Sequence, residues 1–120
     1  MQQIWYCDSG SSKHMTGDRS LLSNFVEKLG KYVNFGNGVK GRITGYGSLK
    51  HGKITIERVA HVEGLKYNLL SCGQFCDKGF KVTFLPETCL LIGIEDEKVY
   101  IRGKRIRKSI YYFDFKNEIE

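Results

Sequence analysis

Ile4-Trp5-Tyr6-Cys7-Asp8-Ser9-Gly10-Ser11-Ser12 is the stretch on which the fold turns. An apolar run of four stops abruptly at a set of turn formers. That is the pattern of a buried strand entering a tight loop. Beyond the loop, Asp18 is placed to cap a short helical turn carrying Leu21, Leu22 and Phe25. Residues 31–35 alternate polar and apolar side chains, as a half-exposed strand does. Gly36-Asn37-Gly38 follows, the strongest hairpin signal in the chain, because Asn-Gly tolerates positive φ at both centres of a type I′ turn.

Residues 42–47 run back from that turn. Further strands are expected at 47–50 and 53–57 around His51-Gly52, continuing through 58–62. Leu69, Cys72 and Phe75 lie three apart beside Leu70, which predicts a short amphipathic helix over 68–75 with Gly79 at its C-cap. Strands are then expected at 80–85, 89–94, 98–102 and 106–115, with a turn near Gly103. Many short strands and one short helix predict an all-β barrel or sandwich. No internal repeat, linker or low-complexity tract interrupts them.

The composition agrees. The chain has 120 residues, 41% of them apolar and 27% charged, enough for one small core and too apolar for disorder. Fourteen Gly against one Pro suit short strands and tight turns. No apolar run is long enough to cross a bilayer, and no basic-then-apolar signal pattern opens the chain. Cys7, Cys72, Cys76 and Cys89 are therefore expected to be reduced thiols in a cytosol-like compartment. The Cys72–Cys76 pair with His51 and His61 does not make a zinc spacing, so no metal is expected. The net charge of +6 is concentrated over residues 102–108, which read first as a solvated hairpin tip and second as a nucleic-acid patch.

Asp8-Ser9-Gly10 carries the chemistry. An Asp at the end of a buried strand presents a carboxylate, the hydroxyl beside it can bond across to a facing loop, and Gly lets backbone come close to the carboxylate. Peptide hydrolysis by this route needs two such carboxylates sharing one proton, because like charges at close range cannot both ionise. One then acts as general base on a water while the other, protonated, polarises the scissile carbonyl. The tripeptide alone should occur by chance in roughly 5% of chains this long, so the context has to carry the reading.

That context resembles a family. Trp5-Tyr6-Cys7-Asp8-Ser9-Gly10-Ser11-Ser12-Lys13-His14-Met15-Thr16-Gly17 is similar to the protease signature of copia-type (Ty1/copia) retrotransposon polyproteins. Gly64-Leu65-Lys66-Tyr67-Asn68-Leu69-Leu70-Ser71 and Gly79-Phe80-Lys81-Val82-Thr83-Phe84 are similar to its second signature. The likeness covers about residues 4–85, with residues 86–120 resembling the extension toward the pre-integrase region. It implies a single-lobe, retropepsin-like closed β-barrel with a flap hairpin and one short helix, acting as an aspartic endopeptidase on its own polyprotein. By that likeness Asp8, Ser9 and Gly10 are catalytic, and Ser11 with Phe35, Gly36, Asn37 and Gly38 of the flap contact substrate. Residues 68–70 correspond to the helix that retroviral proteases hold beneath the active site. Ser11 departs from the small Ala common after Asp-Ser-Gly. The resemblance also implies a cytoplasmic, virus-like-particle setting, a homodimer, no cofactor, and no requirement for membrane or nucleic acid.

Trp5 reads as a core anchor and His14 as structural or surface rather than a general base. Asp18, Asp77 and Asp96 are the rival acids, but no second Asp-Ser/Thr-Gly exists, so the partner carboxylate is expected from a second copy related by twofold symmetry. The alternative is a catalytically silent β-barrel serving assembly or interaction. A basic nucleic-acid-binding barrel is a third reading.

Overall fold

Trp5 has no exposed surface at all and anchors the strand that the opening stretch predicts. The computed structural model describes residues 3–35 and 38–116. In chain order these form β1 (Ile4–Asp8), β2 (Met15–Thr16), β3 (Ser23–Glu27), β4 (Tyr32–Asn34), β5 (Lys40–His51), β6 (Ile54–Val62), β7 (Asn68–Ser71), α1 (Cys72–Asp77), β8 (Phe80–Phe84), β9 (Thr88–Gly93), β10 (Val99–Arg107) and β11 (Ile110–Asp114). The all-β expectation holds. The strands divide between two compact units, one of residues 1–12 and 69–120 and one of residues 13–68.

In the first unit the sheet runs β7-β1-β11-β10-β9-β8. Within it β1 pairs in parallel with β7. Alternation sorts the faces: Trp5, Leu91, Ile101 and Phe113 are wholly buried on one side, while Arg102 and Lys104 are exposed on the other. Burying each large ring contributes roughly 2–3 kcal/mol. Gly103 is not at a turn, as its sequence context suggests, but inside β10. A Cβ there would lie 2.3 Å from the Tyr112 carbonyl oxygen and 2.6 Å from Cys89 Sγ, so close packing, not a turn, requires this glycine. The chain reverses instead at Lys108, which takes a positive φ of 45°.

The expected helix over 68–75 is also shorter. Residues 68–71 are extended because β1 supplies parallel backbone partners, and Ser71 then caps α1 by accepting from the Gln74 N–H at 3.1 Å. Gly79 follows the helix with φ 87°. Phe75 is buried, and Phe80 meets both Phe75 and Tyr100 edge-on.

In the second unit β3-β5-β6-β2 form the ladder and β4 adds to β5. The strands expected separately at 42–47 and 47–50 are one twelve-residue β5, and those expected at 53–57 and 58–62 are one strand, β6, from Ile54 to Val62. Register shifts near Thr44 and Ser48 bend this long pair. Met15, Ile43, Leu49, Ile56, Val59 and Val62 fill the core. Asp18 does cap a turn, a 3-10 segment at Arg19–Leu21, but Phe25 belongs to β3. In neither unit does the ladder close on itself among the described residues, so the closed barrel expected is not closed by hydrogen bonds.

Candidate functional site around Asp8

Asp8 ends β1, with Ser71 beside it on β7 and Tyr6 paired to Tyr112 of β11 on the other flank. A strand fixed on both sides leaves its last residue little freedom. The Asp8 carboxylate accepts from the Gly10 N–H at 2.8 Å, and the Ser11 N–H reaches the Asp8 carbonyl at 3.3 Å. This folds residues 8–11 into a tight turn around one carboxylate oxygen. A Cβ on Gly10 would stand 3.3 Å from that oxygen, tighter than ordinary contact, which is the close approach the tripeptide predicts. Ser9 and Gly10 are exposed, Asp8 and Ser11 half-buried. The turn therefore offers an accessible carboxylate on a rigid base.

Thiols surround that base. Cys7 donates to Cys89, and this bond together with burial drives the Cys7 pKa far upward, so it stays protonated. The Cys89 Sγ–H in turn reaches the Tyr112 carbonyl at 3.8 Å. Burial, then the neighbouring Cys76 and Asp8, pushes the Cys72 thiol up as well. All four cysteines are free thiols. Among the described residues, no three His, Cys, Asp or Glu side chains are placed to share a metal ion.

The rival acids have local duties. Asp18 accepts from the Ser20 N–H at 3.0 Å and its hydroxyl at 2.6 Å. Asp96 holds its own turn through the Lys98 N–H and the Tyr100 hydroxyl, the latter bond setting its carboxyl below the usual range. Asp77 is the exposed end of α1. Sequence reasoning missed Asp114, which is 6% exposed and accepts from the Gln3 and Lys116 N–H groups at 3.1 and 3.0 Å. Its place between Phe113 and Phe115 in an alternating strand is the signal that could have marked it. It ties the two ends of the first unit together.

The expected flap residues lie in the second unit. β4 pairs with β5 from Tyr32 opposite Arg42 to Asn34 opposite Lys40, and the Phe35 N–H donates to the Val39 carbonyl at 3.0 Å. The hairpin is thus present. Phe35 is half-buried over Gly41, and Gly38 is exposed with φ 72°. Gly36 and Asn37 fall outside the described residues. His14, expected to be structural or at the surface, is not at the surface: it is 2% exposed, and its carbonyl accepts from the Ala60 N–H at 2.9 Å.

Residues 5–80 match the family model described as Pol polyprotein, β-barrel domain. The match takes in Asp8, the β4–β5 hairpin and α1, and stops at the start of β8. A protein named for transposon Ty5-1 of Saccharomyces cerevisiae is 36% identical over 69 residues, covering 56% of this chain and 46% of that protein. The chain thus spans about half the length of that relative. No solved structure matches.

Proposed function

The chain belongs to the Pol polyprotein β-barrel domain family, and we propose that it acts there as an aspartic endopeptidase that processes a retrotransposon polyprotein. The observation that carries the reading is the Asp8 turn: an accessible carboxylate at the end of a core strand, held by the Gly10 N–H of its own Asp-Ser-Gly. One such motif per chain calls for two copies, each giving one Asp8 to a shared dyad.

In this route the two carboxylates share one proton, one ionised and one protonated. The ionised Asp8 takes a proton from a bound water as its oxygen adds to the scissile carbonyl carbon. The protonated Asp8 gives its proton to the carbonyl oxygen. Collapse of the tetrahedral species breaks the C–N bond as a proton passes to the leaving nitrogen, and the dyad returns to its starting charge. Ser9 is suited to hydrogen-bond the facing loop of the second copy. No cofactor takes part in this route. The setting that follows is cytoplasmic, within a virus-like particle.

The test is incubation of the purified chain with a fragment of its polyprotein, beside Asp8→Asn and with a pepstatin-type inhibitor. Cleavage by wild type alone, blocked by the inhibitor, is expected. Cleavage by folded Asp8→Asn would sink the proposal.

A further inference from the structure

The outer face of the first unit has a composition the peptidase reading does not use. Cross-strand register puts Lys104 opposite Tyr112 and Tyr112 opposite Tyr6, so these three side chains form one row on one face across β10, β11 and β1. With strands about 4.8 Å apart, the row is about 10 Å long. Arg102 opposes Leu90, and Lys81 opposes Ile92, extending the same face over β9 and β8. Lys81, Arg102 and Lys104 are exposed, and both tyrosines are half-buried. The opposite face, with Trp5, Leu91, Ile101 and Phe113, is the core, so the cations cannot turn inward.

Among the described strand residues this face also carries little opposing charge. Over β8–β11 its one carboxylate is Asp114, which is 6% exposed and engaged by two backbone N–H groups. On β1 the alternation puts Asp8 beyond Tyr6, where it bounds the patch. Three exposed cations beside two tyrosines on one sheet face suit a ligand that is anionic along its backbone and carries planar groups able to stack. An acidic peptide carries its charge on side chains, not along its backbone, and its Asp and Glu offer no ring to stack. A duplex is anionic along its backbone but keeps its bases stacked on one another.

We propose that this face binds single-stranded nucleic acid, with Lys81, Arg102 and Lys104 against phosphates and Tyr6 and Tyr112 against bases. Neutralising about three phosphates gives a log–log salt slope near −2, a loss of roughly 20-fold between about 50 and about 200 mM salt. A stacked base contributes about fivefold or more per ring.

The experiment is fluorescence anisotropy of a labelled oligothymidylate of about 12 nucleotides with the full chain. Arg102→Glu/Lys104→Glu should weaken binding at least tenfold and flatten the salt slope, and Tyr112→Leu should weaken it about fivefold. In a second measurement, needing no variant, bound oligonucleotide should protect Lys81 and Lys104 from acetylation, while Lys50 and Lys53 of the second unit stay reactive. Unchanged affinity in the charge-reversed variant, or equal labelling of all four lysines, overturns the proposal. So does equally tight binding of duplex or of an oligoglutamate of matched charge, which would make the face a general polyanion surface or a dock for acidic protein.

Discussion

Acidification should unfold this protein through His14 before it unfolds through its carboxylates. His14 is 2% exposed, and burial pushes its imidazole from 6.5 down to about 4. The folded chain therefore refuses a proton that the unfolded chain accepts. Above pH 6.5 neither state carries the proton and nothing is lost; as pH falls toward 4 the unfolded state gains it alone. At about 1.4 kcal/mol per pH unit, that window removes ~3 kcal/mol, of which ~2 kcal/mol is gone by about pH 5. The loss is a large part of a typical domain's stability. Urea unfolding of wild type and His14→Gln at about pH 7 and about pH 5 measures it. Wild type should lose ~2 kcal/mol more than the variant between the two, since carboxylate titration is common to both. Equal losses, or an imidazole that titrates by NMR above pH 6, would refute the burial argument.

Two substitutions test the first unit. Gly103→Ala should cost about 3 kcal/mol, because a Cβ 2.3 Å from the Tyr112 carbonyl forces β10 and β11 apart; an unchanged urea midpoint would show that the strands give way easily. Ser71→Ala should cost about 1 kcal/mol by removing the cap on α1. Replacing it with Thr, which keeps the hydroxyl, should restore most of that, and a neutral Ser71→Ala would mean the helix is held by Phe75 alone.

How much of this could be read beforehand depended on whether the signal was local. The strand over residues 4–7, the Asp8 turn and the β4–β5 hairpin follow from alternation and turn chemistry within a few residues, and they are where the sequence places them. Gly103 misled because a glycine demanded by a neighbouring strand looks the same in sequence as one demanded by a turn. Residues 68–71 misled for a related reason. Their i, i+3 apolar spacing fits a helix, and only β1, some sixty residues earlier, makes them a strand. Asp114 was missed because its distant partner, Gln3, reaches it only when β11 pairs with β1. That pairing also makes residues beyond the family match part of the frame that holds Asp8.

The central claim is that cleavage needs two Asp8 carboxylates from two chains. It is tested most directly by measuring specific activity over a dilution series, with sedimentation at each concentration reporting the monomer fraction. Specific activity should fall in step with the dimer, reaching background where only folded monomer sediments. Specific activity that stays constant into that monomer range would contradict it.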